Sequence, residues 1–164
     1  MIEVELLAVR VDLASNTPVV LLQELEAPRR VLPIFIGAPE ATAIAFALQG
    51  VVTPRPMTHD LMKEIIEDLG AVVTKIVITE LKDATYFADL HIQLGSANST
   101  ISARPSDAIA LAARSATQVF VSDELMDSDG VELQGDAAES GDPEEVVDQF
   151  KEFLDNVRPE DFGS

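Results

Sequence analysis

The chain has 164 residues, 47% of them hydrophobic, with 29 acidic and 11 basic side chains for a net charge of −18 and no cysteine. That length supports one domain with a real core and argues against two full-sized ones. Lack of cysteine excludes disulfides, thiol catalysis and sulfur-ligated zinc, and with an acidic N-terminus in place of a basic leader it sets the expectation of a cytoplasmic protein.

The charge is unevenly spread. Residues 123–164 hold 15 acids and 2 bases, a local net of −13, which leaves −5 for residues 1–122. Long-range repulsion of nucleic acid and anionic membranes therefore belongs mostly to the tail. Every apolar stretch is broken well before the ~18 residues of a membrane span, so no membrane partner is expected.

In chain order, Ile2–Val11 is dominated by apolar residues and reads as a strand buried mainly on one face. A turn at 14–18 and two aliphatic, β-branched runs, 19–25 and 31–36, complete an antiparallel meander of three strands. Pro39 suits the start of a helix, and Ala41–Leu48 is apolar nearly all round, which predicts a buried helix with Glu40 as its lone charge. After a proline-bearing connector, Leu61, Met62, Ile65, Ile66 and Leu69 recur at helical spacing until Gly70. Strands follow at 72–81 and 85–94, joined at Lys82-Asp83-Ala84, then a short strand through Ile101. An apolar helix over 108–114, a strand at 119–121 and a short helix capped by Ser122 end the body. The predicted fold class is α+β: mainly antiparallel sheet with packed helices, in a single compact domain plus a C-terminal helix. Its divisions are residues 1–130, an acidic flexible linker at 131–142, and an acidic C-terminal helix and tail at 143–164, striped by Val146, Val147, Phe150, Phe153, Leu154 and Val157. The apolar first helix and the β-rich N-terminal half predict a homo-oligomer, and the C-terminal stripe a protein partner.

One short signature occurs twice: Arg55-Pro56-Met57-Thr58-His59-Asp60 and Arg104-Pro105-Ser106-Asp107. Proline disfavours the helical conformation in the residue before it, so each arginine should stand extended ahead of its helix. Thr58 and Ser106 are natural caps, with Asp60 and Asp107 in the first turns. Taken singly, each motif is explained by capping and a local ion pair. Taken together, two helix starts that converge could grip a phosphodiester with Arg55 and Arg104, assisted by Thr58 and Ser106, beside a divalent cation, Mg²⁺ by preference, held by Glu40, Asp60 and Asp107. His59 is the imidazole placed to move a proton, and His91 lies on the polar face of a strand. No glycine-rich phosphate loop, closely spaced Asp-x-Asp pair or basic aromatic stripe is present.

Leu32-Pro33-Ile34-Phe35-Ile36-Gly37, Glu40-Ala41, the Arg55–Leu61 run, Leu81–Ala88 and Ala103–Ala112 occur in the order that marks the bifunctional nuclease (BFN) domain family. The chain resembles that family over residues 1 to about 127. The resemblance implies a compact α+β domain and, by extension from plant members, nuclease activity on both RNA and DNA. Its polar signature falls on Glu40, Arg55, Thr58, His59, Asp60, Arg104, Ser106 and Asp107. Ser102 stands where relatives often have an acid, removing one candidate metal ligand, and Ala84 where they often have glycine. Two functions follow as expectations: a metal-assisted nuclease, with catalytic His59, Asp60 and Asp107, and a non-catalytic regulatory or protein-interaction module with an acidic tail, which binds a protein or a small anionic ligand and docks its C-terminal helix on a partner.

Overall fold

A computed structural model describes residues 1–132. Eleven elements follow one another: β1 (Ile2–Asp12), β2 (Thr17–Glu24), β3 (Val31–Phe35), α1 (Ala38–Leu48), α2 (Thr58–Asp68), β4 (Ala71–Lys82), β5 (Thr85–Leu94), β6 (Ala97–Ala103), α3 (Pro105–Ser115), β7 (Val119–Val121) and α4 (Asp123–Asp129). The strands form one seven-stranded sheet in the order β3-β2-β1-β7-β4-β5-β6, so the α+β expectation holds for the body of the chain. The expected C-terminal helix and nearly all of the expected linker lie outside the described residues.

The meander β1-β2-β3 and the hairpins β4-β5-β6 are antiparallel. Between them sits β7, antiparallel to β1 and parallel to β4. A parallel pair requires a long crossover, which β5, β6 and α3 supply. This three-residue strand thereby stitches the two halves into one sheet, a placement its sequence alone did not reveal.

The helices bury their apolar residues in a single cluster. Ala41 and Ile44 of α1, Ala108 to Ala112 of α3, and Leu125 and Met126 of α4 meet Val20, Leu22, Leu32, Ile34, Ile76 and Ile78 of the sheet. Alternation along a strand explains the sheet residues, which are two apart. β2 departs from that rule, being buried at every position from Val19 to Glu24.

Two helices are less buried than their composition suggested. In α1 only Ala41, Ala43 and Ile44 are buried, and Leu48 is half exposed. On α2, Met62 and Ile66 pack on the core while Leu61, Ile65 and Leu69 are 47%, 49% and 71% exposed. Five apolar residues at helical spacing make a stripe wider than one contact can cover. α3, at the centre, is buried as expected. It packs against both α1 and α2, which brings three helix starts together.

Candidate functional site

Each helix start is fixed by a local rule. Arg104, ahead of Pro105, is extended (φ −71°, ψ 140°) and forms the backbone N-cap of α3. Met57 does the same for α2, with its N–H donating to Asp60 Oδ2 at 3.0 Å. The capping expectation for Thr58 and Ser106 is thus corrected, since both lie inside the first helical turn. Thr58 is exposed and Ser106 is buried. The carboxylate three residues on, Asp60, satisfies the orphan N–H instead. At Gly37, which precedes α1, an added Cβ would collide with Glu40 Oε2, so this glycine gives the Glu40 carboxylate its place.

The two signatures do converge. His59 Nε2 lies 3.0 Å from Asp107 Oδ1, across 48 positions of sequence. Arg104 donates from Nε to Asp107 Oδ2 at 2.7 Å and from a terminal nitrogen to Asp107 Oδ1 at 3.1 Å. The same nitrogen pairs with Glu40 Oε1 at 2.9 Å. Glu40, Arg104, Asp107 and His59 therefore make one chain of polar contacts drawn from α1, α2 and α3. Its depth is graded: the Arg104 side chain is 65% exposed, that of Asp107 26% and that of His59 9%.

Burial pushes the Asp107 carboxyl upward, but hydrogen bonds from Arg104 and His59 prevail and hold it below the usual carboxylate range. Arg104 is correspondingly raised, chiefly by its bonds to Asp107. At neutral pH the pair is fully ionised.

Asp60 is not part of this cluster. Its Oδ1 is bonded to Nε of Arg114, which also donates to Ala110 O at 2.9 Å and Ala43 O at 3.0 Å. That guanidinium, buried and shared among all three helices, lowers the Asp60 carboxyl. Sequence reasoning missed Arg114. The available signal was a lone cation on an apolar helix, which must find partners to be buried. Arg55 is exposed, and among the described residues it makes no ion pair. His91 sits on the sheet, 3.4 Å from Thr100 Oγ1.

The expected metal set, Glu40 with Asp60 and Asp107, is accordingly not assembled. Among the described residues no group of three or more His, Asp or Glu side chains is arranged to hold a metal. The physical reason is that arginines occupy the positions a cation would take: Arg104 lies between Glu40 and Asp107, and Arg114 neutralises Asp60. An open cleft of about 600 Å³ lies beside Asp60 and Arg114, lined also by Phe46, Val51, Pro54 and Lys63. Arg104, Asp107 and His59 do not line it.

With this geometry stand the comparisons with known proteins. The family model described as "Bifunctional nuclease domain" matches residues 20–134, and the chain belongs to that family. An uncharacterized protein of Mycobacterium tuberculosis (strain ATCC 25618 / H37Rv) is 40% identical over 163 residues, spanning 98% of this chain and 97% of its own. "Bifunctional nuclease 1" of Arabidopsis thaliana is 30% identical and that of Oryza sativa subsp. japonica 29%, each over 125 residues. The plant matches cover 74% of this chain and 38% of theirs. No helix among the described residues is long and apolar enough to cross a membrane.

Proposed function

We propose that this chain is a nuclease hydrolysing phosphodiester bonds of RNA and DNA at the Glu40–Arg104–Asp107–His59 cluster. One observation carries the reading: a solvent-facing guanidinium is bound to a carboxylate whose other partner is a buried imidazole. Arg104 reaches a phosphate from outside, and Glu40 keeps it aimed. The attacking water approaches beside Asp107, loses one proton to the Asp107–His59 pair, and its oxygen bonds to phosphorus as the P–O bond to the leaving oxygen breaks. That proton then returns to the leaving oxygen. His59 suits the relay because an imidazole ring can accept a proton at one nitrogen and donate one from the other. Exposed Arg55, Thr58 and the buried Ser106 complete the proposed substrate contacts around the two helix starts.

Glu40 and Asp107 are paired with Arg104 and Asp60 with Arg114, so no step in this reading runs through a divalent cation. Mg²⁺ enters the proposal only as an ion arriving with substrate phosphates. Titration of the free protein with Mn²⁺ is expected to reveal no stoichiometric site, and a tight one would reinstate the carboxylate ligand set.

A second reading is a non-catalytic module that binds a protein or a small anion. It is favoured by the mutual pairing of Glu40, Arg104 and Asp107 and by the position of the open cleft on the Asp60–Arg114 side. Turnover of single-stranded RNA or DNA by the purified protein separates the two. Hydrolysis that Arg104→Ala removes supports the nuclease, and a folded wild-type protein with no hydrolysis supports the module.

A further inference from the structure

We infer that two copies of this chain join through the free edge of β6, making one continuous sheet of fourteen strands. The inference is independent of the nuclease reading. The two ends of the sheet are built differently. At the β3 edge, Pro33 lacks an N–H, and Val31 is already bonded in both directions to Val131, each N···O distance being 2.9 Å. That edge is blunted. At the opposite edge β6 pairs with β5 over seven consecutive positions without a bulge, and among the described residues nothing pairs with its other side.

An open edge is a template for another strand, and monomeric proteins blunt theirs with lysine, proline, bulges or inward-pointing charge. Ala97-Asn98-Ser99-Thr100-Ile101-Ser102-Ala103 has none of these. Six of its residues are exposed, and Ile101 shows 49% of its surface to solvent.

Charge and symmetry select a second copy as the occupant. Each copy carries −18, so two copies repel at long range, yet β6 bears no charge at all. Edge-directed backbone groups alternate along a strand, so two identical strands meeting edge to edge must oppose residues of like parity. The two-fold axis then passes midway between one residue and its twin, and full overlap makes that residue Thr100. In that register Ala97 faces Ala103, Asn98 faces Ser102, Ser99 faces Ile101 and Thr100 faces its twin. Asn98, Thr100 and Ser102 make a polar row that pairs with itself, a favourable cross-strand combination. On the opposite face each Ile101 is covered by the other copy. The axis is perpendicular to the sheet, so both sets of helices share one side. Residue 104 of each copy then lies roughly 27 Å from its twin along the strands.

The absence of cysteine makes this testable in the full chain. Sedimentation equilibrium of the wild type should give twice the chain mass of 17.7 kDa, and Ile101→Lys should shift it to the single-chain mass. After mild oxidation Thr100→Cys should form a covalent dimer, because opposed strand positions fall within about 4.4–6.8 Å Cα reach of a disulfide. Asn98→Cys should not, its twin positions being offset by about 13 Å along the strands, whereas mixing it with Ser102→Cys chains should restore the cross-link. A wild type that sediments as one chain at every concentration overturns the proposal. So does a dimer unaffected by Ile101→Lys, or cross-linking at Asn98 equal to that at Thr100.

Discussion

At the scale of the residue, the decisive distinction is between the two arginines that the signatures advertise and the one they do not. Arg114 has an 8% exposed side chain and makes three hydrogen bonds to α1, α2 and its own helix. Arg114→Ala would strip Asp60 of its counter-charge and leave two carbonyls unpaired. A loss of about 2–4 kcal/mol is expected by denaturant unfolding, below the full cost of breaking a buried pair because Asp60 keeps solvent contact. Arg114→Lys should recover little, since one ammonium cannot span the three acceptors.

Acid titration belongs at this scale too. Asp60 and Asp107 are both held below the ordinary carboxylate value of 3.8, so the folded chain binds fewer protons than the unfolded one. Their stabilisation is complete above that value and is lost as the pH falls through the lowered folded values. Thermal unfolding from neutrality to strongly acidic pH should show a steep fall at the acid end. Asp60→Asn should start lower and fall less, and an equal fall in both proteins would show that the carboxylate–arginine bonds do not set the acid limit.

The residue types of the cluster were legible in the sequence, because a cation, a proline and a carboxylate at two helix starts are a local pattern. Their pairing was not. Nothing local says that Asp107 takes His59 while Asp60, the next residue along, turns to Arg114. Successive helix residues point about 100° apart, and only the packing of α2 against α3 decides which faces which.

At the scale of the element, the β4–β5 hairpin carries a visible strain. Its two-residue loop, Asp83-Ala84, has both residues at positive φ, 50° and 56°, as the twist of a tight hairpin requires. Alanine is costly there and glycine is not. Ala84→Gly is therefore expected to stabilise the chain by about 1 kcal/mol and raise Tm by about 4 °C in a thermal melt. An unchanged or lower Tm would contradict the strained turn. Gly37 makes the reverse case, since Gly37→Ala should push Glu40 away from Arg104 and lower turnover while leaving the sheet intact.

Strands and most helices were readable from period and punctuation. The meander, the β4–β5 hairpin and α3 came out with boundaries close to those expected, because proline, glycine and alternation are local signals. What escaped was non-local. The position of β7, the buried second face of β2 and the exposure of Leu61, Ile65 and Leu69 depend on what another part of the chain covers.

At the scale of the whole molecule, charge and function pull in opposite directions. A protein of net −18 repels nucleic acid at long range, so the proposed nuclease needs Arg55 and Arg104 to gather substrate locally. Ending the chain at Gln134 removes 10 acids and 2 bases while sparing the residues matched by the family. Single-stranded oligonucleotide should bind this form more tightly than the full chain at low salt. Near 1 M salt, where screening acts over about 3 Å, the difference should vanish. Anisotropy titrations showing no difference at low salt would separate the tail from substrate access.

Arg104 and Asp107, with His59 behind them, form the proposed reacting centre. Hydrolysis of single-stranded RNA and DNA by the wild type, Arg104→Ala and Asp107→Asn, each with its unfolding transition recorded, tests it most directly. Wild-type turnover falling by about 100-fold or more in both variants, with cooperative unfolding retained, is the expected result. Undiminished turnover in both folded variants would contradict it.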